Sequence, residues 1–164
     1  MSVQPGVTAI PPAMIVRDML LDMLGRDVTV APSEPWAPTV SDPGAVAVYV
    51  DDHCRLRALI ACDLELSVAL SASIALIPAR IAKECVEEGR LTYDMAENLN
   101  EVLNILAAMF NPKNGPHVKL YALHVPGEAP PADLLAQLRV YGMRQDLKIE
   151  VAGYGGGRLS LVLI

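Results

Sequence analysis

The run TYDMAENLNEVLNILAAMF, residues 92–110, holds the pattern around which the rest of the chain is arranged. An α-helix turns by about 100° per residue, so side chains three and four positions apart lie on one side of it. Apolar residues occupy one such side: Met95, Leu99, Val102, Leu103, Leu106, Met109 and Phe110. The opposite side carries Glu97, Glu101 and Asn104. The spacing predicts an amphipathic helix with one exposed polar row.

The composition indicates a folded domain with a sizeable core. The chain has 164 residues, of which 52% are hydrophobic, and this length fits a single domain over residues 1–164. Its two longest runs without charged side chains, residues 1–16 and 66–79, are both shorter than the roughly 20 residues that a membrane helix needs. The N-terminus lacks the pattern of a signal peptide. We therefore expect a cytoplasmic protein without a membrane segment.

Charge and cysteine content exclude further classes. The net charge is −6 and the 13 Lys and Arg residues are scattered, so a nucleic-acid partner is not expected, whereas a partner with a local positive charge is. Three unpaired cysteines, Cys54, Cys62 and Cys85, do not form a disulfide framework. His53, His117 and His124 lack the spacing of metal ligands, and no metal site is expected.

Local signals divide the rest of the chain into short elements. Residues 1–12 are expected to be flexible, and the proline-rich residues 32–44 are expected to form an exposed loop attached through Trp36. Residues 64–77 favour a helix capped by Asp63, although their partly alternating serines leave a strand open. The other predicted elements are helices at 13–25, 78–89 and 129–138, strands at 27–31, 45–51, 56–62 and 118–124, and a C-terminal hairpin of 147–152 and 159–164 around a turn at 155–157.

These elements predict an α+β, or mixed α/β, domain with about six largely antiparallel strands packed against long helices. The C-terminal strand is apolar at most positions and ends the sequence. If it lay at an open sheet edge it would invite pairing with a second copy, so we expect a homodimer on that premise.

The polar row on the helix at 92–110 has two interpretations. Such residues are usually the solvated side of an amphipathic helix. However, asparagine is a mediocre residue inside helices, because its amide competes for backbone hydrogen bonds, and this helix holds Asn98, Asn100 and Asn104. In addition, the pattern Glu101-x-x-Asn104 is followed after about 21 residues by Pro126 at the end of a predicted strand.

This pattern resembles the CheC, CheX and FliY family of response-regulator phosphatases, whose active helix carries Glu-x-x-Asn followed by a proline at that distance. The order of predicted elements from about residue 15 onward also resembles a CheX-type domain. The resemblance implies a phosphatase that acts on a phosphorylated CheY-like receiver domain. Asn104 would orient the attacking water, and Glu101 would pair with a lysine of the partner.

The resemblance further places Glu97, Ala108 and Pro126 at the partner-binding surface. It implies that this chain itself binds no cofactor, because the receiver supplies the Mg²⁺. Three features depart from the family: Glu97 stands where Asp or Ser is frequent, the hairpin at 51–55 lacks glycine, and residues 107–110 lack a common glycine. A non-catalytic interaction module of the same fold, and a small-molecule-binding domain unrelated to signalling, are the alternatives.

Overall fold

The computed structural model describes residues 8–112 and 115–164 of the chain. Within them, five α-helices and six strands follow one another along the chain, and each predicted helix and strand is present. Their bounds are α1 Ala13–Leu24, β1 Val28–Pro32, β2 Gly44–Asp51, β3 Leu56–Asp63, α2 Leu64–Ile74, α3 Ala79–Glu88, α4 Tyr93–Leu106, a short 3-10 helix Ala107–Phe110, β4 Val118–His124, α5 Ala132–Leu138, β5 Arg144–Val151 and β6 Gly155–Leu163.

The six strands form one antiparallel sheet in the order β1-β5-β6-β3-β2-β4. The predicted α+β class is therefore confirmed. The C-terminal strand β6 lies inside the sheet, hydrogen-bonded to β3 on one side and β5 on the other. The premise that this strand is an open edge is wrong, since both of its edges are already paired. Its apolar character reflects burial.

Both faces of the sheet are covered, which explains why β2 is buried at all of its positions. One face packs against α1, α2 and α4 to form the main core, which includes Leu20, Leu70 and Leu103. The opposite face is covered by α5 and by the proline-rich loop. A strand buried on both sides has no reason to alternate polar and apolar residues, and the sequence of β2 does not.

The proline-rich loop lies against its own domain through Trp36, as predicted. Only 5% of the Trp36 surface is exposed. Its indole Nε1 donates to Asp42 at 2.9 Å, and its backbone N–H donates to the Ser160 hydroxyl at 3.0 Å. An irregular segment that is rich in proline is thus held at a single aromatic residue.

The helix predicted for residues 64–77 is present, and the competing strand interpretation is wrong. Asp63 caps α2 by accepting from the backbone N–H of Leu66 at 2.9 Å. Ser67 and Ser71 donate their hydroxyls to carbonyls four residues earlier, at 2.8 and 2.7 Å. Because the serines satisfy themselves on their own helix, their partial alternation carries no information about a strand.

The C-terminal hairpin is present, but its turn was predicted at the wrong glycines. The chain turns at residues 152–154, and Gly155, Gly156 and Gly157 belong to β6. A Cβ atom at Gly156 would lie 1.8 Å from the Ile149 carbonyl oxygen, and one at Gly157 would lie 2.0 Å from a carboxylate oxygen of Asp63. These two glycines allow close approach between neighbouring segments.

The β2–β3 hairpin is organised by the buried carboxylate of Asp51. This group accepts from the backbone N–H of His53 and Arg55, at 2.8 and 3.0 Å, and from the Arg57 guanidinium at 2.8 Å. Burial acts to raise the pKa of Asp51, but these donors outweigh it and hold the pKa well below the ordinary 3.8. The polar hairpin sequence is thus explained by an internal ion cluster.

Of the N-terminal residues expected to be flexible, 1–7 lie outside the described residues. Thr8 and Pro11 are buried against the domain. The carbonyl of Pro11 is 3.5 Å from the side-chain amide of Gln145 at the start of β5. Residues 8–12 therefore pack on the same side of the sheet as α1.

Candidate functional site

Helix α4 begins where the sequence predicts. The Thr92 hydroxyl caps it by accepting from the backbone N–H of Met95 at 3.2 Å, and Asp94 places a negative charge in the first turn. Both features stabilise a helix N-terminus, where unpaired N–H groups and the helix dipole are positive.

One side of α4 is fully packed against the core. The residues of the predicted apolar stripe are buried, except for the half-buried Met109: Met95, Leu99, Val102, Leu103, Leu106 and Phe110. They contact α2 and the sheet strands β2 and β4. With one side held in this way, the direction of the opposite side is determined.

The opposite side exposes the predicted row. Glu97, Glu101, Asn104 and Ala108 are all exposed, and we call these four residues the α4 row. Their successive spacings of four, three and four residues make them neighbours along the helix surface. A carboxylate and an amide thus stand side by side, one turn apart and open to a partner.

Pro126 differs from the α4 row, because its ring is buried. Just after β4 the chain turns back, with the Glu128 N–H donating to the Val125 carbonyl at 3.0 Å, and this turn directs the proline inward. The prediction that Pro126 contacts a partner directly is therefore corrected. Its spacing from Glu101 and Asn104 marks a packed turn of the chain.

The three asparagines of α4 have different surroundings. Asn98 is half-buried, and its amide donates to the Ser71 carbonyl of α2 at 3.3 Å. Asn100 and Asn104 are exposed. The unusual asparagine content of the helix is therefore partly structural, and only the exposed pair offers amides to solvent.

Sequence reasoning missed Tyr93, which lies four residues before Glu97 and extends the α4 row by one turn. Its side chain is 79% exposed. The Glu97 carboxylate, as a hydrogen-bond acceptor and as a negative charge, raises the pKa of the Tyr93 hydroxyl above its ordinary value of 10.0. The i, i+4 spacing was a usable signal, and tyrosine is a residue type enriched in protein interfaces.

The end of α4 depends on two residues that the sequence analysis also missed. The buried Tyr49 hydroxyl donates to the Leu103 carbonyl at 2.6 Å. The Asn111 side chain donates to the carbonyls of Ala107 and Val118 and accepts from the Val118 N–H. The Tyr49 contact joins segments that are distant in sequence, whereas Asn111 reaches four residues back and seven residues forward.

The α4 row is acidic and has no basic residue in the last turn of the helix. Such a surface suits a partner that presents a cation, and an exposed amide can both donate to and accept from a water molecule. Across residues 8–112 and 115–164, His, Cys, Asp and Glu side chains form no group of three that could hold a metal ion. No helix in that part of the chain is long and apolar enough to cross a membrane.

A separate groove of about 410 Å³ lies on the other face of the sheet, between the proline-rich loop and α5. Its lining is mostly apolar and includes Pro38, Val40, Pro130 and Leu135, with Glu128 and Arg139 as the charged residues. Because α4 covers the opposite sheet face, this groove and the α4 row are distinct features.

Comparison with known proteins identifies the fold. No family model and no curated protein sequence matches the chain. Among solved structures, the FliM middle domain from Vibrio alginolyticus matches with a TM-score of 0.56 and 16% identity, over 92% of this chain and 86% of that chain. FliM from an H. pylori FliM–SpeE complex matches with a TM-score of 0.58 and 8% identity, over 92% and 80% of the two chains.

FliY from Thermotoga maritima also matches, with a TM-score of 0.49 and 12% identity, over 89% of this chain and 80% of that chain. CheC-like and CheX structures are among the other matches. At these identities the likeness concerns the fold alone. The fold is therefore that of the FliM middle domains, and the resemblance to the CheC, CheX and FliY proteins remains a prediction from the sequence.

Proposed function

We propose that this protein is a CheX-like phosphatase that dephosphorylates a phosphorylated CheY-like response regulator. The observation that carries the proposal is the exposure of Glu101 and Asn104 side by side on a helix whose opposite side is buried in the core. A helix held in this way can approach another protein without losing its own packing.

The chemistry requires little from this chain. A phosphorylated receiver already holds an aspartyl phosphate, a Mg²⁺ and a lysine, so hydrolysis chiefly lacks a water placed in line with the phosphorus. The side-chain oxygen of Asn104 would hold this water by accepting a hydrogen bond from it. The water oxygen bonds to phosphorus while the bond to the aspartyl oxygen breaks, which releases inorganic phosphate and the free carboxylate.

Glu101 has a docking role in the proposal. Its carboxylate lies one turn before Asn104 and would pair with the receiver lysine, so that the position of Asn104 over the phosphate is set. Glu97, Ala108 and the exposed Tyr93 would complete the contact surface along the helix. Ala108 has no side chain beyond Cβ, which allows close approach beside the amide.

The test is phosphate loss from phosphorylated receivers of the host in Mg²⁺, with and without the protein. We expect faster loss with the parent, and a decrease in this acceleration of about 100-fold or more in Asn104→Ala. Asn100→Ala is the matched control, because it makes the same chemical change at another exposed position of the same helix. Circular dichroism should show that both variants keep the fold.

The docking role is tested with Glu101→Lys, which should weaken binding to the receiver because it replaces attraction to the lysine by repulsion. Glu65→Lys, at an exposed position of α2, is the charge-matched control. Equal decay with and without the parent, across the host's receivers, would contradict the phosphatase proposal. Binding that is lost in Glu101→Lys without any dephosphorylation by the parent would instead identify a non-catalytic interaction module.

A further inference from the structure

The last turn of α4 changes its helical type immediately after Asn104. The regular helix ends at Leu106, and residues Ala107–Phe110 form a 3-10 helix. The Ala107 N–H contacts the carbonyls of Asn104 and Ile105, three and two residues earlier, and not the Leu103 carbonyl four residues earlier. Since a 3-10 helix turns by about 120° per residue and an α-helix by about 100°, this change sets where the following side chains point.

The Leu103 carbonyl that is freed in this way is taken by Tyr49. This tyrosine lies in β2 and is completely buried, and its hydroxyl donates to that carbonyl at 2.6 Å. Its ring also contacts the Phe110 ring, with the centroids 5.0 Å apart. Tyr49 thus contacts the residue directly before Asn104 and the last residue of the 3-10 helix.

A second contact holds the chain on the other side of Asn104. The Asn111 amide donates to the Ala107 carbonyl at 3.2 Å and to the Val118 carbonyl at 2.8 Å. Its side-chain oxygen accepts from the Val118 N–H at 2.6 Å. Through one side chain, Ala107 at the start of the 3-10 helix is joined to Val118, the first residue of β4.

We propose that Tyr49 and Asn111 form a clamp that positions Asn104, by keeping the chain after Leu106 in the 3-10 form. Neither residue would touch the receiver, and both are positioning residues. The inference rests on the proposed function for its catalytic consequence. Its structural part concerns this chain alone and can be measured without a partner.

Removal of the Tyr49 hydroxyl gives the sharpest prediction. In Tyr49→Phe the Leu103 carbonyl has no phenol to accept from and becomes available to the Ala107 N–H. The α-helix should then continue beyond Leu106 and rotate residues 107–110 relative to Asn104. Substrate-positioning errors of this size reduce turnover more than binding, so we expect kcat to decrease about tenfold with KM changed less than twofold.

Tyr154→Phe is a matched control for the loss of a phenol–carbonyl hydrogen bond. The Tyr154 hydroxyl donates to the Ile77 carbonyl, also at 2.6 Å, in the segment between α2 and α3. Both variants lose one oxygen atom and one bond of the same type. Only Tyr49→Phe should affect the end of α4.

The experiment is NMR of the labelled full chain, with through-hydrogen-bond couplings to the Ala107 amide and chemical shifts for residues 103–111, followed by steady-state dephosphorylation. The expected result is that the Ala107 amide changes its acceptor from Asn104 to Leu103 in Tyr49→Phe and not in Tyr154→Phe. Asn111→Ala removes the second contact of the clamp, and it should change the chemical shifts of residues 103–111 as well. This variant replaces Tyr49→Phe in the experiment if Tyr49→Phe does not fold.

The clamp is overturned if the Ala107 acceptor, the shifts of residues 103–111 and kcat all stay at parental values in Tyr49→Phe and Asn111→Ala. It is equally overturned if Tyr154→Phe changes them as much. If the parent protein has no phosphatase activity, the proposed function is contradicted. The acceptor of the Ala107 amide, measured by NMR, then tests the structural part of the clamp proposal without activity data.

Discussion

Helices α2 and α4 pack against each other, and both carry polar residues at helical spacing, yet these polar residues have opposite surroundings. Nine of the eleven residues of α2 are buried, including Ser67, Ser71 and Ser73. In α4 the buried positions are apolar, and the charged residues of the α4 row are exposed. The two helices show that polar spacing alone does not identify a solvated face.

The difference follows from the chemistry of the side chains. A serine hydroxyl reaches the carbonyl of the preceding turn, so it can be buried without losing its hydrogen bond. A carboxylate cannot donate to the carbonyls of its own helix in this way, and burying the charge of Glu97 or Glu101 without a cationic partner would cost several kcal/mol. A polar row made of carboxylates therefore predicts exposure much more reliably than one made of hydroxyls.

The largest effect should come from the core of α2. Leu70→Ala removes a completely buried side chain, and we expect a loss of about 2–5 kcal/mol in the free energy of unfolding, because a cavity forms where the surroundings cannot collapse. The matched change in α4 is Ile105→Ala at a position that is 40% exposed, which should cost less than about 1 kcal/mol. Urea denaturation of both variants measures the contrast, and similar losses would contradict it.

An intermediate effect is expected at the contact between the two helices. Asn98→Ala leaves the buried Ser71 carbonyl without this donor, which should cost about 1–3 kcal/mol, and a gain of up to about 0.7 kcal/mol in helix propensity leaves a net loss in the free energy of unfolding. Asn100→Ala is the control, because its exposed amide can be replaced by alanine with a gain of up to about 0.7 kcal/mol in helix propensity. If both alanine variants changed the free energy of unfolding in the same direction, the distinction between structural and exposed asparagines in α4 would be wrong.

The smallest effect concerns the exposed row itself. Glu97→Gln removes the negative charge beside Tyr93, so the pKa of the Tyr93 hydroxyl should fall toward 10.0. The folded state favours the neutral phenol of Tyr93. Any contribution of its contact with Glu97 to the free energy of unfolding is therefore complete below pH 10 and is lost as pH rises above that value. Absorbance titration of the tyrosinate band, with Tyr93→Phe to assign the signal, measures the shift. An unchanged titration would show that the two side chains do not interact.

Features with local causes were predictable from the sequence. The Thr92 cap, the apolar stripe of α4 and the exposure of Glu101 and Asn104 all follow from neighbours within one or two turns. The α+β class was also predictable, because the order of helices and strands along the chain was readable from local patterns.

The errors concern the surroundings of a residue or strand, which the local pattern did not show. Gly156 and Gly157 looked like a turn, but they are required where β5 and Asp63 approach the strand. The apolar β6 resembled an open edge, but it is central in the sheet. Pro126 had the spacing of a contact residue, but its ring is buried. For Gly157 and β6 the environment is determined by Asp63 and β3, which are far away in sequence, whereas Gly156 and Pro126 are placed by their own hairpin and turn.

The sequence by itself determined the helix at 92–110, the side of it that would be buried and the two residues that stand exposed on its opposite side, because helical periodicity and charge act over a few residues. Only the tertiary structure decided how that helix ends. Tyr49 comes from β2, 54 residues before Leu103, so the direction of the segment beyond Asn104 depends on a contact that exists only once β2 packs against this helix.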